Sequence, residues 1–113
     1  MKNFIQDGRV VTLTAPAGGV KSGDGLIVGS VFGVCAYDAD EADAVEVALT
    51  GVFELPKTAP AIAEGAAVSW DSAAHNVLAP AAGKFPIGVC VAAAGLDEPT
   101  CRVRLNGIAT AAA

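Results

Sequence analysis

Glycine and proline punctuate this chain so densely that few windows can hold an amphipathic helix. Thirteen Gly and six Pro fall among 113 residues. The runs between them are about four to eight residues long, a strand length rather than a helix length. The runs are also Val-rich. Short β-branched runs between regularly spaced turn signals predict an all-β sandwich or barrel.

Residues 9–14 predict a strand with Val11 and Leu13 on one face and Val10, Thr12 and Thr14 on the other. Gly29-Ser30 separates Leu26-Ile27-Val28 from the run Val31 to Tyr37 and suits a tight hairpin. An acidic connection, Asp38 to Asp43, leads into residues 44–50, whose alternation turns Val45, Val47 and Leu49 inward. Gly51 permits a bulge or kink before Val52-Phe53-Glu54-Leu55, and Pro56 stops that run. Residues 57–65 are the best candidate for a helical or 3₁₀ turn, around Ala61 to Glu64 and closed by Gly65. In residues 66–71, Val68 and Trp70 share a strand face; Asp71 to Asn76 read as a turn before Val77-Leu78, and residues 80–86 as a loop. Ile87 to Ala93 is apolar without alternation, as in a strand covered on both faces. After a turn at Leu96 to Thr100, Cys101, Val103 and Leu105 face inward, Arg102 and Arg104 outward, and Asn106-Gly107 ends the pattern.

The expected organisation is an N-terminal arm at 1–8, a single β-domain at 9–107 and a flexible tail at 108–113. The domain reads as a small compact β-barrel or jelly-roll-like sandwich of about eight short strands, with at most one short helical turn.

Apolar residues make up 53% of the chain but aromatics only 5%, and Ala inflates the first figure. What remains suffices for one small core. A domain this size buries roughly two thirds of its unfolded surface, so a partner surface would add usefully to its stability. The longest near-apolar run, Ile87 to Leu96, is ten residues, and a membrane helix needs about 20. Met1 to Gln6 has one Lys and no apolar stretch, so no secretory leader is expected and synthesis is placed in a reducing cytoplasm. Lys plus Arg number 7 against 12 Asp plus Glu, a net charge of −5, which argues against nucleic acid as a partner.

Candidate chemistry is sparse. Cys35, Cys90 and Cys101 form no C-x-x-C pair, and with one His no zinc finger is possible; they read as small buried hydrophobes. Gly18-Gly19-Val20-Lys21-Ser22 places Val where a P-loop needs Gly before its Lys. Gly23-Asp24-Gly25 leads into a Val-rich strand, not the helix of a dinucleotide fold. An EF-hand loop starting at Asp38 would need an oxygen ligand at Ala42 and Gly at Asp43. His75 could be drawn into a set with Ser72 or Ser69 and Asp71, but no G-x-S-x-G supports it. No catalytic residue, metal site or cofactor is expected, and the chain reads as a binding or structural protein rather than an enzyme.

Leu13 to Val20, Ser22-Gly23-Asp24 and Val28 to Val34, followed by Val45 to Lys57, Val68 to Asp71, Ile87-Gly88-Val89 and Val103 to Gly107, resemble the small capsid cement, or head-decoration, proteins of tailed phages and prophages. The likeness runs in order through nearly the whole chain and consists of glycines and β residues. It implies a compact β unit without catalytic residues that binds the outside of an assembled icosahedral head and clamps its subunits. The implied partner is the major capsid protein, without nucleic acid or membrane, and the implied location is the virion. A homo-oligomer is expected, trimer in preference to dimer. Lys2, Asn3, Phe4, Ile5 and Gln6 form the candidate capsid-contact arm, able to add a strand to a capsid edge or to pair within its own sheet. The alternative is a small-ligand or carbohydrate-binding β-domain of a phage or cell surface, which would gather Trp70, Tyr37 and His75 at one concave site.

Overall fold

Alternation and turn chemistry set the strands. The structure, a computed structural model, describes residues 3, 5, 8–58 and 60–112. Among these it is all-β, with nine strands: β1 Val10–Thr14, β2 Gly25–Val28, β3 Val31–Cys35, β4 Ala44–Ala48, β5 Thr50–Pro56, β6 Ala67–Asp71, β7 Asn76–Leu78, β8 Phe85–Cys90 and β9 Thr100–Asn106. Burial alternates along β4, where Val45 and Val47 are fully buried, and along β9, where Cys101, Val103 and Leu105 point inward. β2 and β3 form the expected hairpin. Val28 faces Val31 across Gly29-Ser30, and Gly29 has φ +59°, the left-handed value that the first position of a type II′ turn requires.

The strands form two antiparallel sheets. Four make one sheet in the order β1-β4-β3-β2, and five make the other in the order β5-β9-β8-β6-β7. The chain changes sheets at Leu49, whose N–H donates to the Arg9 carbonyl. The five-stranded sheet curls until its edges meet: Lys57 bridges Val77, and the Thr58 N–H donates to the Val77 carbonyl at 3.0 Å. Curling hides strand edges that would otherwise pair with other chains.

Two apolar clusters fill the interior. The larger lies inside the curled sheet and includes Leu55, Val68, Trp70, Ile87, Val103 and Leu105. The smaller gathers Ala15, Val20, Leu26, Cys35, Val45 and Val47 against the four-stranded sheet. β3 serves both, with Phe32 and Val34 in the larger cluster and Cys35 in the smaller. Burying a side chain such as Leu55 or Leu105 contributes about 2 kcal/mol.

Five expectations are corrected. Among the described residues of 57–65 there is no helical turn. Ile62 instead exchanges both backbone hydrogen bonds with Ala94, so the segment is held as an extended bridge. β8 begins at Phe85, inside the expected loop, and is not covered on both faces, because Pro86 and Val89 are exposed. Gly51 makes no bulge: β5 and β9 stay in register from Thr50↔Asn106 to Pro56↔Thr100. The register shift falls instead between Val68 and Ser69, opposite Pro86, which has no N–H to give the ladder. Pro56 does not end β5 but lies within it, tolerated because β5 lies at the end of the strand order.

Of the tail, Thr110 is buried. Its N–H donates to the Ser30 carbonyl at 2.8 Å and its hydroxyl to the Pro86 carbonyl at 2.6 Å.

Candidate interaction surface

The groups considered for chemistry are taken up by local structure. Asp71 Oδ1 accepts the Ala73 and Ala74 N–H groups and Oδ2 accepts from Lys84 at 3.2 Å, an Asx-type turn at the β6–β7 tip. Those bonds, the Ala74 N–H first and Lys84 next, hold its carboxyl below the usual carboxylate range. His75 stands exposed on that turn at φ +56°, its ring edge-on to Trp70 with centroids 6.2 Å apart. Ser69 is buried within β6. Asp71 therefore organises the turn and Lys84, and does not form a relay with His75.

Around Gly18 to Ser22 the backbone donors are taken up within the chain, Gly19 and Val20 by the Pro16 and Ala39 carbonyls and the others by carboxylates. Lys21 N–H donates to Asp24 Oδ2 and Ser22 N–H to Asp38 Oδ1. Lys21 Nζ itself lies 3.9 Å from Asp38. Asp24, Asp38, Asp40 and Asp43 line an open cavity of about 330 Å³ at this end of the molecule. Among the described residues, no group of three or more His, Cys, Asp or Glu side chains is arranged to hold a metal ion.

The three cysteines are free and buried. Cys90 Sγ–H donates to the Ala92 carbonyl. Burial, reinforced by Cys90, pushes the Cys101 thiol up to about 11, and burial followed by the Asp24 charge raises Cys35. They pack as small core residues. Lys57 is also buried, its ammonium donating to the Thr58 and Pro60 carbonyls.

The ligand-site constellation does not assemble. Trp70 is only 2% exposed, tilted against Phe32 with ring centroids 5.1 Å apart. It borders a cavity with His75, Pro56 and Asp24, whereas Tyr37 is exposed and is not part of that lining.

A different surface stands out once the strands are in register. Across four strands of the curled sheet, Val52 pairs Arg104, Arg104 pairs Val89, and Val89 pairs Ala67. All four side chains are exposed, Val52 at 54% and Val89 at 37%. One pair along, Arg102 lies 3.5 Å from Glu54. Beside Val89, Pro80 and Pro86 wall a shallow apolar groove of about 300 Å³, with Arg104 and Asn106 on its border. The sequence marked Arg102 and Arg104 as outward but missed Val52 and Val89 as their neighbours. Only the strand order reveals that row, and no local pattern carries it.

Further apolar exposure gathers near the change of sheets. Val10 pairs Ala48, Gly107 abuts Thr50, and Val10 and Ile108 are exposed. The molecule is thus polar in layout, with carboxylates around residues 24 and 38–43 and with apolar and arginine side chains on the curled sheet. Of the arm, Asn3 and Ile5 are exposed, while Lys2, Phe4 and Gln6 lie outside the described residues.

No helix among the described residues is long and apolar enough to cross a membrane. No curated protein and no solved structure matches the chain. The family model described as phage cement protein matches residues 5–105. With nearly its whole length covered and all nine strands inside the matched span but for the last residue of β9, the chain belongs to the phage cement protein family.

Proposed function

We propose that the protein decorates the outer surface of the assembled phage head and stabilises it there, with the major capsid protein as its partner. Membership of the cement family implies a structural component of the phage capsid and a non-enzymatic role. The observation that supports surface binding is the layout of the fold: an exposed apolar and arginine-bearing sheet face, with the acidic loops elsewhere. Such a molecule needs no chemistry. If it binds the assembled shell and not its free subunits, it stabilises the shell by mass action. Many copies on one shell multiply a modest affinity. The net charge of −5 keeps unbound copies soluble after synthesis in the host cytoplasm.

In this reading the binding unit is a trimer, and the arm from Lys2 to Gln6 adds a strand to a capsid edge. Co-sedimentation with matching expanded capsids tests the reading. Saturable association is expected; protein left in the supernatant at all capsid concentrations would refute it. Deleting residues 2–6 tests the arm, with weaker association expected and unchanged association counting against it. Sedimentation equilibrium of the free protein reads the trimer directly.

A further inference from the structure

We propose that the outer face of the curled sheet is the surface that meets the shell, and that it meets an acidic patch flanked by apolar side chains on the major capsid protein. This rests on the decoration reading above and adds the docking face and the chemistry of its partner.

This face does not share the acidic excess of the chain. The whole molecule carries −5, yet the four strands of this face, β5, β9, β8 and β6, hold two arginines against two carboxylates, Glu54 and Asp71, and Asp71 is held by Lys84. Arg102 is spoken for by Glu54, in a pair more than 60% exposed on both sides. The Arg104 guanidinium makes no ion pair or side-chain hydrogen bond among the described residues, although it stands at the centre of the row between Val52 and Val89. A guanidinium set among apolar side chains is a strong anchor for a carboxylate once a partner excludes water, because the bidentate bond is then made at low dielectric.

The apolar part of the face is built to receive a side chain. Pro80 and Pro86 are conformationally stiff walls, and Ala67 and Gly88 keep the groove open beside Val89. Gly88 cannot be enlarged to fill it, since a β-carbon there would collide with the Arg104 carbonyl. An apolar side chain next to a carboxylate on the partner would engage the groove and Arg104 together. The acidic loops at 38–43 would be repelled by the same patch, which disfavours docking through that end of the molecule.

The test compares binding to expanded capsids for Arg104→Glu, Val89→Asp and, as a control beside the acidic loops, Tyr37→Asp. Trp70 emission and thermal melts confirm that each variant is folded. Arg104→Glu and Val89→Asp are expected to weaken association at least about tenfold, and Tyr37→Asp by less than about twofold. Wild-type association is expected to weaken as salt rises. Should Arg104→Glu melt early, the neutral Arg104→Gln gives the same readout. Face variants that bind as the wild type does would overturn the docking face and leave the decoration reading standing. A changed mass of the free protein in those variants would assign the face to contacts between copies, and so also overturn it. Failure of the wild type to bind takes down both.

Discussion

Gly25 lies directly against the indole of Trp70, so closely that any β-carbon at position 25 would sit 2.6 Å from Cη2. Gly25 opens β2 in one sheet and Trp70 lies in β6 of the other, so this contact sets how closely the two sheets approach. Gly25→Ala is therefore an overpacking change, expected to cost about 1–3 kcal/mol. Denaturant unfolding followed by the single Trp reads it directly. A lower midpoint is expected, and an unchanged one would mean that the indole has room to move.

The buried thiols give a second prediction. With Cys101 pushed up to about 11 and Cys35 raised, native protein at pH 8 should resist thiol reagents, and all three cysteines should react once it is unfolded. A thiol whose folded pKa lies above its unfolded value stabilises the fold fully below the ordinary thiol range, near 8.5, and loses that contribution as pH rises. Melting temperature should therefore fall between about pH 8.5 and pH 11. Cys101→Ala should flatten that slope while lowering the midpoint at neutral pH. Rapid labelling of native protein would contradict the burial.

Asp71 gives the opposite sign. Its carboxyl is held below the usual range by the Ala74 N–H, by Lys84 and by the Ala73 N–H. The stability it contributes is present above the unfolded carboxylate value of about 3.9 and is lost as pH falls through the lower folded value. Asp71→Asn should lower the melting temperature at pH 7 and narrow its gap from wild type below about pH 4. A constant gap across that window would show that the charge is immaterial to the turn.

Residues 108–113 can be tested by truncation after Gly107. Thr110 makes one bond to Ser30 and one to Pro86, and each such bond contributes about 1 kcal/mol. Removing both should lower the melt by roughly 8–16 °C, at about 4–8 °C per kcal/mol for a domain this small. An unchanged melt would show that the tail is the flexible extension its Ala-rich composition suggests.

The strands that the sequence revealed are those whose two faces see different surroundings. Along β4, Glu46 is half-buried between the fully buried Val45 and Val47. Along β9, Arg102 and Arg104 alternate with buried Cys101, Val103 and Leu105. Alternation reports such strands directly. It fails where both faces are apolar for different reasons. Phe32, Val34 and Cys35 are buried because β3 separates two clusters, whereas Val89 is apolar and exposed, and both read as plain apolar runs. Ile62 read as part of a helical turn because its partner, Ala94, is distant in sequence. The row Val52–Arg104–Val89–Ala67 was illegible for the same reason, since it exists only across strand pairings. Family resemblance reached the cement family, with the structural role in the phage capsid that membership implies, which the residues alone did not carry.

Electron cryo-microscopy of heads prepared with and without this protein tests the central claim most directly. The difference map should show added density on the outside of the shell, in units that fit a body of 46 × 34 × 24 Å. The curled sheet should lie against the capsid and residues 38–43 should point away from it. Absence of added density, or density confined to the interior of the shell, would contradict the proposed role.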